Sequence, residues 1–117
     1  MTSEEFIAAA RLEFPELSSV LDDDAGLFYL QVASLRRHTQ AAIDGGDRAR
    51  VETHFEFLRQ AWLNGDWGVQ NAVGVSYLEH LNFQDGKRPR SWAWDLLPEP
   101  LKANARNLGV EPQKPGR

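Results

Sequence analysis

Apolar residues recur every three or four positions over four long segments of the chain. This spacing places apolar side chains on one face of a helix, so each segment is predicted to be helical. Turn-forming residues separate the segments, and shorter helices are expected near the C-terminal end. The predicted helices are residues 3–14, 25–43, 48–64, 67–81, 91–97 and 98–108.

Residues typical of helix ends lie at the segment boundaries. Ser3, followed by two glutamates, suits a helix start because side-chain oxygen and negative charge satisfy exposed backbone amides. Pro15 ends the first helix because the residue before a proline avoids the helical conformation, and residues 16–21 are predicted to form a turn. Asp47 and Asp66 are placed to cap the third and fourth helices.

The segment over residues 67–81 carries apolar residues on more than one side. A helix of this kind is covered by neighbours on several faces, so we place it at the centre of the bundle. Gly74 then lies where a neighbouring helix approaches closely. A large side chain at this position is expected to overpack the core at a cost of about 1–3 kcal/mol.

The third and fourth helices follow one another after a tight turn and each starts at a Gly-Asp pair, which suggests an antiparallel pair. A chain of 117 residues can bury one core without metal or disulfide support. The predicted fold is all-α, a compact bundle of four to six antiparallel helices, with HEAT-like helix-pair packing as one form of it. Residues 1–110 form a single helical domain in this prediction, and residues 111–117 form a flexible tail.

The composition limits the compartment and the chemistry. The chain has no cysteine, which excludes disulfides, thiolate nucleophiles and thiolate metal ligands. Its first residues carry glutamates where a signal peptide carries positive charge, and no run of about 18 apolar residues is present to span a membrane. We therefore expect a soluble cytoplasmic protein with no membrane contact.

Charge is distributed unevenly around a net value of −4. Residues 1–35 carry seven acidic side chains and one arginine, a net charge of −6, whereas residues 84–117 carry seven basic and four acidic side chains, a net charge of +3. A mostly acidic surface repels phosphate backbones and attracts basic partners. A basic protein is therefore an expected partner, and nucleic acid is not.

The segment GKRPRSWAW, residues 86–94, concentrates three cations and two tryptophans. Such a mixture occurs in nucleic-acid grooves, but three cations on an acidic body are too few to hold a phosphate backbone. We expect Trp92 and Trp94 to pack against the bundle from a short helix, with the cations exposed at its rim.

Three histidines, His38, His54 and His80, are the candidates for acid, base or metal-ligand chemistry. None forms an HxxxH or HExxH pair, the spacing that places two ligands on one helix face. We therefore expect no metal, no cofactor and no catalytic residue. One alternative stays open, because His54 and His80 could meet across adjacent helices, near Glu79, in a metal-dependent enzyme or sensor.

The stretch NAVGVSYLEHL in the fourth helix resembles a V-S-F-L-E-x-L segment of an uncharacterised family of small helical bacterial proteins. The resemblance covers residues 45–83, where a phenylalanine-rich helix precedes Asn-Gly-Asp, and FPEL at residues 14–17 is similar too. The family is a domain of unknown function, so the resemblance implies no catalytic residue. Proteins similar to it look like the immunity or antitoxin partners of secreted bacterial toxins.

Together these features predict a bacterial immunity protein, not an enzyme, that binds and neutralises a cognate basic toxin through an acidic helical surface. Trp67 follows a helix cap and is expected to be an exposed anchor ringed by three aspartates, with packing of its ring against the turn as the alternative. The predicted partner-binding residues are Asp22, Asp23, Asp24, Asp44, Asp47, Asp66 and Trp67. The chain is expected to be a monomer or a weak homodimer, and a self-associating helical adaptor is the alternative function.

Overall fold

Seven α-helices account for most of residues 1–113, the part of the chain that this computed structural model describes. No strand occurs among these residues, so the all-α prediction is confirmed. None of these helices is both long and apolar enough to cross a membrane. The helices are α1 (Ser3–Glu13), α2 (Ser18–Asp23), α3 (Phe28–Asp44), α4 (Arg48–Asn64), α5 (Trp67–Ala72), α6 (Ser91–Leu96) and α7 (Glu99–Asn107), with 3-10 turns at Pro15–Leu17 and Leu78–His80 and a π-helical turn at Val73–Tyr77.

The helix pair α3 and α4 forms the centre of the bundle. Only residues 45–47 join the two helices, which therefore run antiparallel beside each other. The π-turn packs against α3, while α6 and α7 pack against α4. One apolar core runs through the bundle, and its fully buried side chains include Phe6, Phe55, Phe83 and Leu101.

Helix caps lie at or next to the predicted positions. Asp47 and Asp66 each accept a hydrogen bond from the backbone amide three residues further on, at 3.2 and 2.9 Å, as predicted for α4 and α5. The start of α1 differs by one residue, because Thr2 caps it. Thr2 and Glu5 exchange hydrogen bonds between backbone and side chain, at 2.9 and 3.2 Å, and this reciprocal pair fixes the first turn.

Residues 16–21, predicted to form a turn, are helical over most of their length. A 3-10 turn leads directly into α2. Leu17 and Leu21 lie one helical turn apart and are both buried, and this tertiary burial stabilises a helix that is too short to form alone. The next helix starts at Phe28, later than predicted, because Gly26 adopts a left-handed φ of +82° and turns the chain.

The helix predicted over residues 67–81 changes its winding twice. It runs as α5, then as a π-turn, and then as a 3-10 turn. A π-turn inserts an extra residue and rotates the side chains that follow it around the helix axis. Tyr77 and Leu78, at the second change, are both fully buried. The segment packs against α3 and α4, but it is not one regular helix.

Two glycines mark close approaches on either side of α5. Gly74 is buried in the π-turn, and a Cβ there would lie 3.5 Å from Asn104 Oδ1 of α7, which leaves room for a methyl group. Gly65 is more constrained, because a Cβ there would lie 2.6 Å from Val69 Cγ1. The corner between α4 and α5 therefore requires glycine.

The two tryptophans of residues 86–94 pack against the bundle, as predicted. Trp94 in α6 is buried and meets Phe83 edge-on, with 5.3 Å between ring centroids. The Lys102 ammonium lies 5.5 Å from the centroid of the same ring. Trp92 is partly buried, and its indole donates a hydrogen bond to the Pro89 carbonyl at 2.9 Å.

The last described residues contact the loop that precedes α6. Gln84 donates a hydrogen bond to the Glu111 carbonyl at 3.1 Å and accepts one from the Gln113 amide at 2.8 Å. The rest of the predicted tail, residues 114–117, lies outside the described residues.

Candidate functional site

Trp67 is the most exposed aromatic side chain in residues 1–113, with 77 % of its surface in solvent. It is the first residue of α5. The amide of Asp66, the cap of that helix, donates a hydrogen bond to the Met1 carbonyl at 2.8 Å, and Gly65 allows the turn before it. These backbone contacts hold the corner from which the indole projects, and the ring does not pack into the turn.

Trp67 belongs to a partly exposed stripe along α5 and its continuation. Trp67, Asn71 and Val75 are four residues apart and line the same surface groove. Asn71 donates a 2.6 Å hydrogen bond to the Tyr29 hydroxyl of α3, and Tyr29 and Val75 are 39 % and 38 % exposed. We call Tyr29, Trp67, Asn71 and Val75 together the Trp67 surface.

Two carboxylates flank the corner at which the Trp67 surface begins. Asp66 directly precedes Trp67, and Glu5 of α1 lies close enough for its charge to interact with that of Asp66. Hydrogen bonds from Thr2 lower the pKa of Glu5, so its carboxylate is charged at neutral pH. The Met1 ammonium, which donates a hydrogen bond to the Asn64 carbonyl, lies at the same corner, so the corner combines two carboxylates with one cation.

The predicted ring of three aspartates around Trp67 is not formed. Asp47 caps the first turn of α4, whereas Asp66 follows its last residues, and the 17-residue helix between them is about 25 Å long. Asp44, at the end of α3, lies at the same far end as Asp47. Of the three aspartates, only Asp66 lies next to Trp67.

Both the carboxylate and the backbone carbonyl of Asp44 accept hydrogen bonds from other residues of the chain. Its carboxylate accepts hydrogen bonds from Arg90 at 2.7 Å and from Gln40 at 3.0 Å, and its carbonyl accepts one from Arg88 at 2.9 Å. Partial burial raises the pKa of Asp44, but the hydrogen bonds from Arg90 and Gln40 outweigh this effect and lower it overall. The expectation that the cations of residues 86–94 are exposed is wrong for Arg90. Its side chain is partly buried, and its ion pair with Asp44 links the loop before α6 to the end of α3.

The aspartates of residues 22–24 lie at the end of α2. Asp22 forms an ion pair with Arg11 of α1, and Asp22 and Asp23 are exposed. The turn that follows them forms one wall of a groove whose other wall includes Ser3 and Glu4. The first turn of α1 therefore lies across a groove from the turn after α2, and Glu5 in the same turn lies near Asp66.

Three buried polar side chains form a network between α3, α4 and the π-turn. Thr39 Oγ1 lies 2.7 Å from His54 Nδ1, 2.6 Å from the Tyr77 hydroxyl and 3.1 Å from the Leu35 carbonyl. Thr39, His54 and Tyr77 are each at most 1 % exposed. The network joins the central helix pair to the segment that carries Trp67.

The proton positions in this network follow from the donors present. Thr39 has one hydroxyl proton, and the Leu35 carbonyl can only accept. All three contacts are hydrogen bonds only if Thr39 donates to Leu35 and accepts from both Tyr77 and His54. His54 then carries its proton on Nδ1 and has a free lone pair on Nε2.

His54 Nε2 has no hydrogen-bond partner within residues 1–113. Burial, with a further contribution from the charge of Arg50, lowers the pKa of His54 to about 4, so the ring is neutral at pH 7. Phe14 packs edge-on against the imidazole, with 4.7 Å between centroids. The ring forms part of the wall of a surface cleft, and its Nε2 is buried behind that wall without a hydrogen-bond partner among the described residues.

The two histidines of the metal-site alternative lie in different environments. His80 is exposed, with Nε2 4.0 Å from a Glu79 carboxylate oxygen, whereas His54 is buried and bonded to Thr39. Across the described part of the chain, no three His, Asp or Glu side chains are arranged to hold a metal ion. The structure does not bring His54 and His80 together in a ligand set.

Sequence reasoning missed the Thr39–His54–Tyr77 network. One signal was present, because Thr39 interrupts the apolar stripe of α3 with a hydroxyl group, and a polar group on a buried stripe needs a hydrogen-bond partner. Its two side-chain partners are 15 and 38 residues away along the chain, so only the fold identifies them.

Comparison with known proteins gives a family without an assigned activity. A family model described as Domain of unknown function (DUF7674) matches residues 7–108. This range includes the Trp67 surface, the buried network and the segment that carries the sequence resemblance. No curated protein and no solved structure matches the chain.

Proposed function

The chain belongs to the Domain of unknown function (DUF7674) family, and we propose that this member is a bacterial immunity protein that binds and neutralises a basic toxin. In this proposal the Trp67 surface is the centre of the binding site, and the carboxylates of Glu5 and Asp66 flank it. The observation that carries the proposal is the 77 % exposure of Trp67 on a fixed helix corner.

An exposed tryptophan on a rigid support is a favourable anchor for a protein partner. An aromatic side chain buries about 150–250 Å² in an interface. Its few rotatable bonds limit the entropy lost on binding, and the cap of α5 already holds the backbone. Tyr29 and Val75 extend the apolar contact, while Asn71 offers polar atoms beside it.

The acidic charge around this corner favours a basic partner. Residues 1–35 carry a net charge of −6. The first turn of α1 lies near the Trp67 corner and across a groove from the turn after α2. Such a field speeds the association of a positively charged protein and weakens as salt is added. This supports a toxin with a basic binding face.

The seven residues predicted to bind the partner have different roles in the proposal. Asp66 and Trp67 contact the toxin directly. The aspartates of residues 22–24 contribute to the acidic field. Asp44 and Asp47 lie about 25 Å away along α4 and take no part in the central contact.

The test co-expresses the chain with the product of its neighbouring gene and measures growth of the host cells. We expect the neighbouring product to be toxic and the wild-type chain to restore growth. Trp67→Ala should abolish the rescue, whereas Leu12→Ala, which removes another exposed apolar side chain (86 % exposed) from α1, should keep it. A harmless neighbouring product, or full rescue by Trp67→Ala, would contradict the proposal.

The role of charge is tested at two helix caps. Asp66→Ser keeps a side-chain oxygen that can cap α5 but removes the charge beside Trp67. Asp47→Ser makes the same change at the far end of α4. The proposal expects slower toxin association and a smaller salt dependence for Asp66→Ser alone. Equal effects of the two variants would argue against a local role for Asp66.

Stable self-association through the Trp67 surface would contradict this proposal and would indicate a helical adaptor instead. Leu27 and Leu30, on either side of Tyr29, are 55 % and 51 % exposed and could extend a contact between two copies. Sedimentation velocity at increasing concentration separates the two cases. A stable dimer that Trp67→Ala dissociates would identify an adaptor, whereas a monomer or a weak homodimer is expected for an immunity protein.

A further inference from the structure

A cleft of about 340 Å³ lies between the end of α1 and the first turns of α4. Its wall includes Phe14 and the His54 ring, which is 1 % exposed and whose Nε2 is unpaired within the described residues. Its lining also includes the carboxylates of Glu13, Glu16 and Asp47. Arg50 is the one cation that residues 1–113 contribute to the lining.

The polar groups available in this cleft are almost all acceptors. Carboxylates accept hydrogen bonds, and the neutral His54 has a lone pair on Nε2 because its proton lies on Nδ1. The Thr53 hydroxyl donates to the Ala49 carbonyl at 3.0 Å, so its proton is already used. A ligand that satisfies this set must bring donors and positive charge.

We propose that the cleft binds a guanidinium group. A guanidinium carries five N–H donors in a planar fork and no acceptor, so it can donate to His54 Nε2 and to a carboxylate at the same time. Its delocalised charge is also less strongly hydrated than that of an ammonium group, which favours entry beside Phe14.

In the free protein, Arg50 forms ion pairs with two carboxylates of the cleft, those of Glu16 and Asp47. Its guanidinium lies 3.4 Å from Glu16 and 3.4 Å from Asp47, and its side chain is 47 % exposed. Long and exposed ion pairs of this kind contribute little to stability. A bound guanidinium can therefore take the place of Arg50 at small cost, and Arg50 competes with the ligand.

This inference goes beyond the proposed immunity function and does not depend on it. His54 precedes Asp66 by 12 residues along α4 and the following turn, a distance of about 18 Å at helical rise. Failure of the Trp67 surface to bind a toxin would leave the cleft proposal standing, and the reverse is also true.

The test adds agmatine to the ¹⁵N-labelled full chain and follows the imidazole nitrogen signals by NMR. In the free protein, His54 Nε2 should resonate as an unprotonated nitrogen. We expect agmatine to move this signal in the direction of a hydrogen-bonded nitrogen, while the signals of His80 stay unchanged. An acetylated, amidated Gly-Arg-Gly peptide is the second probe. Binding of both probes assigns an arginine side chain as the ligand, and binding of agmatine alone assigns a free small molecule.

Surface variants test the site without disturbing the core. Glu16→Gln should weaken agmatine binding about five-fold or more, the effect of losing one charged hydrogen-bond acceptor. Arg50→Gln should strengthen binding, because it removes the competitor. Arg48→Gln is the matched control, since it makes the same charge change two residues away at an arginine that pairs with Glu52 and does not line the cleft.

Three results would each overturn the proposal. The first is no binding of either probe at millimolar concentration. The second is a His54 that carries its proton on Nε2 in the free protein. The third is binding of zinc or acetate at this ring where agmatine has no effect, which would assign a different ligand chemistry.

Discussion

Tyr77 donates a 2.6 Å hydrogen bond to Thr39, from the π-helical turn to the middle of α3. Burial raises the pKa of the Tyr77 phenol, so the group stays protonated and acts as a donor. The bond anchors the inner side of the helical segment whose outer side presents Trp67. The buried polar network therefore helps to fix the surface that we propose as the binding site.

The network predicts unequal effects for two nearly isosteric substitutions. Tyr77→Phe removes one donor but leaves Thr39 bonded to Leu35 and His54, so it should lower the free energy of unfolding by about 1 kcal/mol. Thr39→Val leaves both the Tyr77 hydroxyl and His54 Nδ1–H without a partner, and should cost about 3 kcal/mol. Urea unfolding measures both values. Equal losses would contradict the donor assignment in which Thr39 accepts twice.

Stability should fall as the pH is lowered from 6.5 towards 4. The pKa of His54 is about 4 in the folded protein, below the ordinary value near 6.5 that holds in the unfolded chain. The unfolded state therefore takes up the proton first, and stability is fully present above pH 6.5. The difference corresponds to a loss of about 3 kcal/mol by pH 4.

The control for this pH dependence is His54→Asn, which keeps an N–H donor near Thr39 but does not titrate. Urea unfolding of this variant should show a much flatter profile between pH 6.5 and 4.5. A wild-type profile that is flat over this interval would show that His54 has an ordinary pKa in the folded protein.

Alanine at Gly65, in the corner before Trp67, should lower the stability of the protein. Gly65→Ala would place a Cβ 2.6 Å from Val69 Cγ1, and the resulting shift should destabilise the protein by about 1–3 kcal/mol. Gly74→Ala is the matched substitution, with a Cβ 3.5 Å from Asn104 Oδ1, and should be neutral or slightly stabilising because alanine favours helix. Thermal unfolding compares the two, and a larger loss at Gly74 would reverse this assignment.

The Arg90–Asp44 pair should contribute to stability and not to partner binding. Arg90→Gln breaks a partly buried, 2.7 Å charged hydrogen bond and should cost about 1–2 kcal/mol. Arg106→Gln, in exposed pairs with Glu99 at 3.1 Å and Glu111 at 3.4 Å, should cost less than Arg90→Gln, because solvent screens exposed ion pairs. The comparison uses urea unfolding, and a neutral Arg90→Gln would show that the loop before α6 is held by other contacts.

The parts of the fold that the sequence predicts are those set by interactions between residues close together in the chain. Asp47 and Asp66 act on amides three residues away, so their capping role is visible in the sequence. The same holds for Pro15 and for the apolar stripes of α3 and α4. Helix α2 is not visible in this way, because it depends on burial of Leu17 and Leu21 by distant parts of the chain.

The candidate site was accessible to sequence analysis only in part. The position of Trp67 after a cap predicts an exposed ring, but its exposure depends on how α1, α3 and α4 pack around α5. The expected ring of aspartates does not form, because the 17-residue helix α4 separates Asp47 from Asp66. The free acceptor on His54 Nε2 is not visible in the sequence, because it depends on hydrogen bonds among side chains of α3, α4 and the π-turn.

The most direct test of the account is the affinity of the purified chain for the product of its neighbouring gene, measured by isothermal titration calorimetry for wild type, Trp67→Ala and Leu12→Ala. A central tryptophan anchor predicts a loss of about 2 kcal/mol or more, roughly 30-fold in Kd, for Trp67→Ala and no significant change for Leu12→Ala. Unchanged affinity in the Trp67→Ala variant would contradict the central claim that this corner binds the partner.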